Sequence, residues 1–122
     1  MAQNDVVSIR DKFRLFQELW SPKIVAKMND YHLKIAKVKG EFVWHQHDDT
    51  DEVFLVVDGV LEIELPDRVV SLKPGELFVV PKGVRHKPKA DEEAHILLIE
   101  PAGTANTGEE AASDMSTKGE WL

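Results

Sequence analysis

The chain of 122 residues has no cysteine, fewer basic than acidic residues and no long apolar run. The lack of cysteine excludes disulfides and thiolate metal sites. The net charge of −7 argues against nucleic acid as a partner, because phosphate binding needs concentrated lysine and arginine. No stretch approaches about 18 apolar residues, and the first residues lack a signal-peptide run. We therefore expect a cytoplasmic protein without a membrane partner.

The sequence does contain a series of short segments rich in β-branched and aromatic residues, separated by turn signals such as Asp-Gly and Lys-Pro-Gly. This spacing is typical of sandwiches and barrels. We predict an all-β fold, with one β domain over residues 23–101 between a helical lead, 1–22, and a flexible polar tail, 102–122. The eight segments are KIVAKM, YHLKIAKVK, EFVWHQH, EVFLVV, VLEIEL, VVSL, ELFVVP and AHILLIEP.

The lead is predicted to form a helix from Ser8 to Trp20. Ser8 is a suitable N-cap with Asp11 three residues later, and the dipeptide at 21–22, Ser-Pro, stops the helix. One face of this helix would carry Ile9, Phe13, Phe16 and Trp20.

Three of the predicted strands are apolar on both faces, namely residues 52–57, 76–80 and 95–100. A sheet with one wet face should alternate apolar and polar residues, so the outer face of this sheet should be covered. Phe42 and Trp44 are predicted to point away from His45 and to fill the same outer face. The helix and a second subunit are the candidates for the cover, and we predict a homodimer.

Two histidines, His45 and His47, stand two residues apart on a predicted strand. Residues i and i+2 share a face, with Cα atoms about 6.6 Å apart. Two imidazoles at this spacing can bind one metal ion. The spacing alone is equally compatible with a pair of histidines that face solvent.

Residues around these histidines extend the pattern. Four residues separate His47 from Glu52, and six separate Glu52 from Gly59. The later stretch "GELFVVPKGVRH" contains Gly75, Pro81, Gly83 and His86. The spacing resembles the two sequence motifs of the cupin family. The chain departs from the family pattern in two places: four residues instead of five separate Gly40 from His45, and Ala90 stands where the second motif ends in asparagine.

The resemblance implies a cupin jelly-roll barrel that binds one divalent metal ion per subunit through His45, His47, Glu52 and His86. Three neutral imidazoles and one carboxylate suit Fe, Mn, Zn, Ni, Cu or Co, and the sequence does not choose among them. Four protein ligands leave up to two octahedral positions for water, dioxygen or a small-molecule ligand.

Other polar residues offer weaker hypotheses. His95 is a candidate catalytic base or proton relay, or else an outward-facing residue, and the same alternatives apply to His32. A basic cluster suggests either an anionic substrate or a solvated face, and acidic residues after His47 suggest a wet rim beside the site. The basic residues are Lys82, Arg85, Lys87 and Lys89, and the acidic ones are Asp48, Asp49 and Asp51.

Two classes of function fit these observations. The first is a metal-dependent enzyme that acts on a small oxygen-rich substrate, either an oxygenase or a sugar or sugar-acid isomerase. The second is a non-catalytic cupin that binds a metal or a small ligand. The helical lead and the "EPAGT" segment resemble short bacterial cupins described as mannose-6-phosphate isomerase-like, but only Lys82 is available to grip a phosphate.

Overall fold

The computed structural model describes residues 5–108 and 115–122. It confirms a mostly β protein with one short helix, and no described helix is long and apolar enough to cross a membrane. The elements are α1 Ile9–Phe13, β1 Lys23–Met28, β2 Tyr31–Glu41, β3 Glu52–Asp58, β4 Leu61–Glu64, β5 Val69–Leu72, β6 Leu77–Val80, β7 Lys87–Pro101 and β8 Glu120–Trp121.

The fifteen-residue strand β7 organises the sheet. Along one edge it pairs antiparallel with β2, from Tyr31 opposite Pro101 to Glu41 opposite Lys89. Its other edge is shared, because β4 pairs with the first residues of β7 and β3 with the last. The sheet therefore branches at β7, and no pairing among the described strands closes it into the predicted barrel.

Two apolar clusters lie on opposite faces of this sheet. The inner cluster is enclosed by β2 to β7 and includes Phe54, Val56, Ile96 and Leu98. The outer cluster joins Phe13 and Phe16 of the lead to Ile35 and Leu97, with Leu55, Val57, Ile99 and Leu122 packed at its margin. The strands that are apolar on both faces are thus buried on one face in the inner cluster and partly covered on the other by the lead.

The segment 41–47, predicted as a strand, is irregular after β2 ends at Glu41. Gly40 adopts a φ of +78° beside a register shift in the β2–β7 ladder, a backbone conformation that glycine adopts without steric penalty. The strict alternation of a strand is lost there. Phe42 consequently turns inward and contacts the His45 ring edge-on, so its predicted place on the outer face is wrong.

The helix ends at Phe13, seven residues earlier than predicted. Its start is confirmed, because the Ser8 hydroxyl accepts a hydrogen bond from the Asp11 amide at 3.3 Å. A longer helix would place Phe16 and Trp20 on one face. The fold instead needs Phe16 in the outer cluster and Trp20 against the inner one, and Trp20 reverses the chain with a φ of +57°.

The tail, predicted to be a flexible arm, is packed against the sheet in its described parts. Strand β8 pairs in parallel with β1, and the Leu122 amide donates to the Ile24 carbonyl at 3.0 Å. Asn106 bonds with both the Thr117 amide and the Thr117 carbonyl, which ties the two described stretches of the tail together. Residues 109–114 lie outside the described residues.

Part of the outer face remains exposed beside the edge strand β6. Leu77 and Val79 are 60% and 44% exposed, and they stand opposite Leu55 and Val53 of β3. Strand β6 pairs only with β3, so its other edge also carries free backbone groups among the described strands. This exposed apolar strip is the surface available to the predicted second subunit.

Candidate metal centre

His45 and His86 are held opposite each other by the backbone. The His45 amide donates to the His86 carbonyl at 3.0 Å, and the His86 amide donates back to the His45 carbonyl at 2.8 Å. Their ring centroids are 4.2 Å apart. The chain reaches His86 through the turn at Pro81–Gly83, and the Gly83 amide binds the His47 carbonyl at 2.8 Å. These backbone bonds bring three distant histidines together.

Glu52 completes the group from the first position of β3, where it pairs with Val80. Its Oε1 lies 3.2 Å from Nε2 of His47 and 3.5 Å from Nε2 of His86. The potential ligand atoms of His45, His47, Glu52 and His86 all lie within 4.8 Å of one another.

Hydrogen bonds also fix how two of the imidazoles present their nitrogens. Nδ1 of His45 donates to the Val43 carbonyl and Nδ1 of His86 to the Val84 carbonyl, each at 2.9 Å. When Nδ1 carries the proton, Nε2 keeps a free lone pair. This arrangement prepares both rings to bind a metal through Nε2.

The four residues fit a divalent metal ion. None is more than 6% exposed, and Nε2 of His47, Oε1 of Glu52 and Nε2 of His86 are buried without a hydrogen-bond partner in the part of the chain that the structure describes. Buried polar atoms without partners are costly, so a group of them facing one point needs a ligand. Imidazole nitrogen and carboxylate oxygen are the donors that such metals take.

Residues 32–100 match the sequence profile of the family described as the cupin domain. The chain belongs to the cupin family. A cupin-2 domain containing protein from Shewanella frigidimarina NCIMB 400 has a similar crystal structure, with a TM-score of 0.78 and 55% identity over 79% of this chain and 94% of that one.

Two curated proteins match this cupin over shorter regions. YdbB of Bacillus subtilis (strain 168) is 34% identical over 67 residues, which are 54% of this chain and 59% of that protein. Acireductone dioxygenase of Sulfurihydrogenibium sp. (strain YO3AOP1) is 42% identical over 77 residues, or 57% of this chain and 41% of that protein. The chain thus spans about half the length of these curated relatives.

Burial and neighbouring charges set the proton affinities of the group. Burial, together with the adjacent His86, lowers the pKa of His45 to about 4. Burial by itself would raise the pKa of Glu52, but the neighbouring Glu100, His47 and His86 outweigh it and hold that pKa well below its usual range. At neutral pH the group therefore offers a neutral His45 and an ionised Glu52, the forms that bind a metal.

Sequence reasoning missed two buried charged residues, Glu100 and Lys34. Both are 1% exposed, and Nζ of Lys34 lies 2.6 Å from Oε2 of Glu100. Burial and the adjacent Glu52 raise the pKa of Glu100 well above its usual value, against the opposing effect of Lys34. The alternation of the strands contained a signal for both residues. Lys34 is the charged member of the inward-facing series 34, 36 and 38, and Glu100 is the charged member of the series 96, 98 and 100.

A small apolar cavity of about 30 Å³ adjoins the site. His45 and Glu52 form part of its wall, and Trp20, Phe42 and Phe54 contribute aromatic surface. A cavity of this size accommodates about one or two water molecules. A larger surface hollow of about 330 Å³ lies on the other side, between His47, the acidic loop at 48–50 and tail residues 101–105 and 108.

The other candidate residues lie outside this group. His95 is on the outer face, with its ring stacked 4.6 Å from Phe13 and its Nε2 at 2.8 Å from Glu93. His32 packs edge-on against Trp121. In the basic cluster, Lys87 pairs with Glu41, and Lys89 lies 3.0 Å from Glu64. Asp48, Asp49 and Asp51 are exposed at the rim, and Asp51 accepts the Lys82 amide at 2.9 Å.

The lowered pKa of His45 predicts an acid-sensitive metal-free protein. Unfolded His45 takes up a proton near its ordinary value of 6.5, whereas folded His45 stays neutral down to about 4. Unfolded His45 therefore binds more protons in this interval, and its contribution to the free energy of unfolding is lost as the pH drops from about 6.5 to about 4. The contribution of His45 is on the order of 3 kcal/mol.

Urea unfolding in the presence of a chelator, at several pH values across this interval, measures the effect. Glu52, whose pKa is lowered, contributes in the same direction, and Glu100, whose pKa is raised, in the opposite one. The decisive comparison is therefore with His45→Leu, which should show a shallower dependence on pH. Equal slopes for both proteins would contradict the assignment to His45.

Proposed function

We propose that this cupin binds one divalent metal ion per subunit through His45, His47, Glu52 and His86, and that it is an enzyme of the oxygenase type. The observation that carries the proposal is the convergence of four buried ligand atoms within 4.8 Å, three of them without any other partner. When bound, a redox-active metal would supply a centre that activates dioxygen or polarises a substrate oxygen.

The shape and charge of the surroundings favour an oxygenase over a sugar-phosphate isomerase. The apolar cavity beside His45 suits a molecule as small as dioxygen but is too small for a sugar. No lysine or arginine among residues 5–108 and 115–122 lines this cavity or the hollow beside His47, and the hollow carries Asp48 and Asp49. An acidic rim repels anions, so a phosphate or a sugar acid would bind weakly.

The hollow beside His47 and the apolar cavity beside His45 would have different roles. The hollow beside His47 is large enough to receive a small organic substrate. Trp20, Phe42 and Phe54 keep bulk water from the His45 side. Similarity to an acireductone dioxygenase over 57% of this chain supports oxygen chemistry at such a site.

A non-catalytic metal or ligand binder is the second candidate. It is favoured by the walls of the apolar cavity, where, among the described residues, Asn106 is the one amide or charged side chain besides His45 and Glu52. A substrate that reacts only through the metal would not need a further acid or base, so the scarcity of polar side chains is also compatible with an enzyme.

Metal content tests the centre directly. His86→Ala should reduce the metal content of protein purified without chelators several-fold, because a ligand is lost while the strands that form the core remain. His32→Ala, which removes a histidine outside the group, is the matched control and should keep its metal. Elemental analysis and circular dichroism measure metal and fold. Full metal retention by folded His86→Ala would contradict the proposed centre.

Glu52→Gln separates the enzyme from the binder. The substitution keeps the shape of the ligand but removes its charge, which raises the net charge of a divalent site from +1 to +2. An oxygenase should lose dioxygen uptake, because the carboxylate tunes the metal. A binder should instead hold anionic ligands more tightly. Uptake measurements on metal-loaded protein, with small phenols and enediols as substrates, decide between the two, and wild-type protein without uptake would favour the binder.

We also propose that the chain forms a homodimer through the exposed strip beside β6. Leu77 and Val79 present apolar side chains there, and the open edge of β6 offers free backbone groups. An exposed patch next to an unpaired strand is a common association surface.

Leu77→Lys should therefore shift the protein from about twice the chain mass of 13.8 kDa to a monomer. Val69→Lys, at an exposed valine of β5, is the matched control and should not change the mass. Light scattering at micromolar concentration measures the masses. A wild-type monomer under these conditions would contradict the dimer.

A further inference from the structure

A buried pair of charges lies behind the candidate metal centre. Lys34 and Glu100 project from β2 and β7 into the same interior as Phe54 and Leu98, and their Nζ–Oε2 distance is 2.6 Å. Burying two charges costs several kcal/mol per ion, and such a pair is weak evidence for stability. Its presence therefore needs another explanation.

Glu100 stands next to the candidate ligand Glu52. The register that pairs Val53 with Ile99 and Phe54 with Leu98 places Glu52 directly opposite Glu100 on the adjacent strand. Like charges in this position are destabilising unless other groups compensate them. His47 and His86 contact Glu52, and Lys34 contacts Glu100, so Glu52 lies between these two candidate ligands and Glu100.

The contacts of Glu100 leave one of its carboxyl oxygens available to Glu52. Oε2 receives the Lys34 ammonium, whereas Oε1 is buried and has no hydrogen-bond partner among the described residues. A buried polar atom of this kind is expensive unless it faces a group that uses it. A proton shared with the neighbouring Glu52 carboxyl satisfies both groups.

Lys34 extends the connection to the C-terminal tail. Its ammonium also donates to the Thr104 carbonyl at 3.2 Å and to the Lys118 carbonyl at 3.1 Å, so all three of its protons have partners. A Cβ atom built on Gly119 would lie 3.4 Å from Cε of Lys34. A continuous series of contacts thus runs from Glu52 through Glu100 and Lys34 to both described parts of the tail.

We propose that Glu100, anchored by Lys34, is a positioning residue that orients Glu52 toward the metal, and that docking of the tail on Lys34 is thereby coupled to metal binding. This inference rests on the proposed metal centre. Coupling is reciprocal: if the docked tail strengthens metal binding, bound metal must stabilise the docked tail by the same factor.

A purely structural role for the pair predicts a different outcome in a double variant. Glu100→Leu leaves Lys34 buried and unpaired, which lowers stability. Adding Lys34→Met removes the second charge and should recover most of that stability. If the pair only stabilised the fold, metal affinity would recover with it. If Glu100 positions Glu52, affinity stays low although the fold is restored.

The test is a titration of chelator-treated protein with Co²⁺ alone, followed by its visible absorption spectrum. We expect the double variant to bind Co²⁺ about 10- to 100-fold more weakly than the wild type, with altered absorption bands. Glu100→Gln should retain most of the affinity, because an amide can donate toward Glu52 and accept from Lys34. Lys37→Met is the matched control, since Lys37 is a buried lysine of β2 whose ammonium binds the Phe16 carbonyl instead.

Hydrogen exchange measures how strongly the tail is docked on the sheet. Co²⁺ should slow the exchange of residues 115–122 in the wild type but not in the double variant. Gly119→Ala strains the backbone at φ +91° and places a Cβ atom 3.3 Å from Cγ1 of Ile24 and 3.4 Å from Cε of Lys34, so it should weaken Co²⁺ binding several-fold. Gly75→Ala, at φ +86° with no atom of a described residue other than its chain neighbours within 4 Å of the added Cβ, should not.

The results separate this inference from the proposed function. Wild-type protein that takes up no Co²⁺ would contradict the metal centre and the coupling together. The coupling alone would be overturned if the double variant and Gly119→Ala both bind Co²⁺ with the affinity and the spectrum of the wild type. If the double variant does not fold, Gly119→Ala and the exchange data decide.

Discussion

The alternation of side chains along β7 is the constraint on which the rest of the structure depends. Its pairing with β2, β3 and β4 fixes one register for most of the sheet. In that register Ile96, Leu98 and Glu100 point inward, and His95, Leu97 and Ile99 point outward. A slip of one residue would exchange the two faces, remove Glu100 from Glu52 and bury His95. The chemistry of the interior is therefore a consequence of backbone pairing.

Features that depend on local spacing could be predicted from the sequence. Strand β1 was predicted with the bounds that the structure has, because turn signals enclose a short β-branched run. The four candidate ligands were found by motif spacing, and the structure brings their ligand atoms together. The start of the helix was also predictable, since the Ser8 cap acts within one turn.

Features that depend on distant partners could not be predicted. The helix stops early because Phe16 and Trp20 pack in different clusters, which no local pattern reveals. The inward turn of Phe42 follows from the bulge at Gly40 in a ladder with β7. Lys34 and Glu100 meet across 66 residues of sequence, and a lysine in a strand is ordinarily a solvated residue. Their significance is visible only once the register places Glu100, the partner of Lys34, opposite Glu52.

The position of Trp20 allows events in the interior to be followed by tryptophan fluorescence. Its indole stacks 4.8 Å from Phe42, whose ring touches His45, and its Nε1 is fixed by the Lys39 carbonyl at 2.9 Å. Trp121, in contrast, lies at the edge of the sheet beside His32. The third tryptophan, Trp44, directly precedes His45 in the chain, so a Trp44→Phe variant is needed for a change of emission on events at His45 to report Trp20 through short-range quenching. The residue that covers the cavity is in this sense also a built-in fluorophore for observing it.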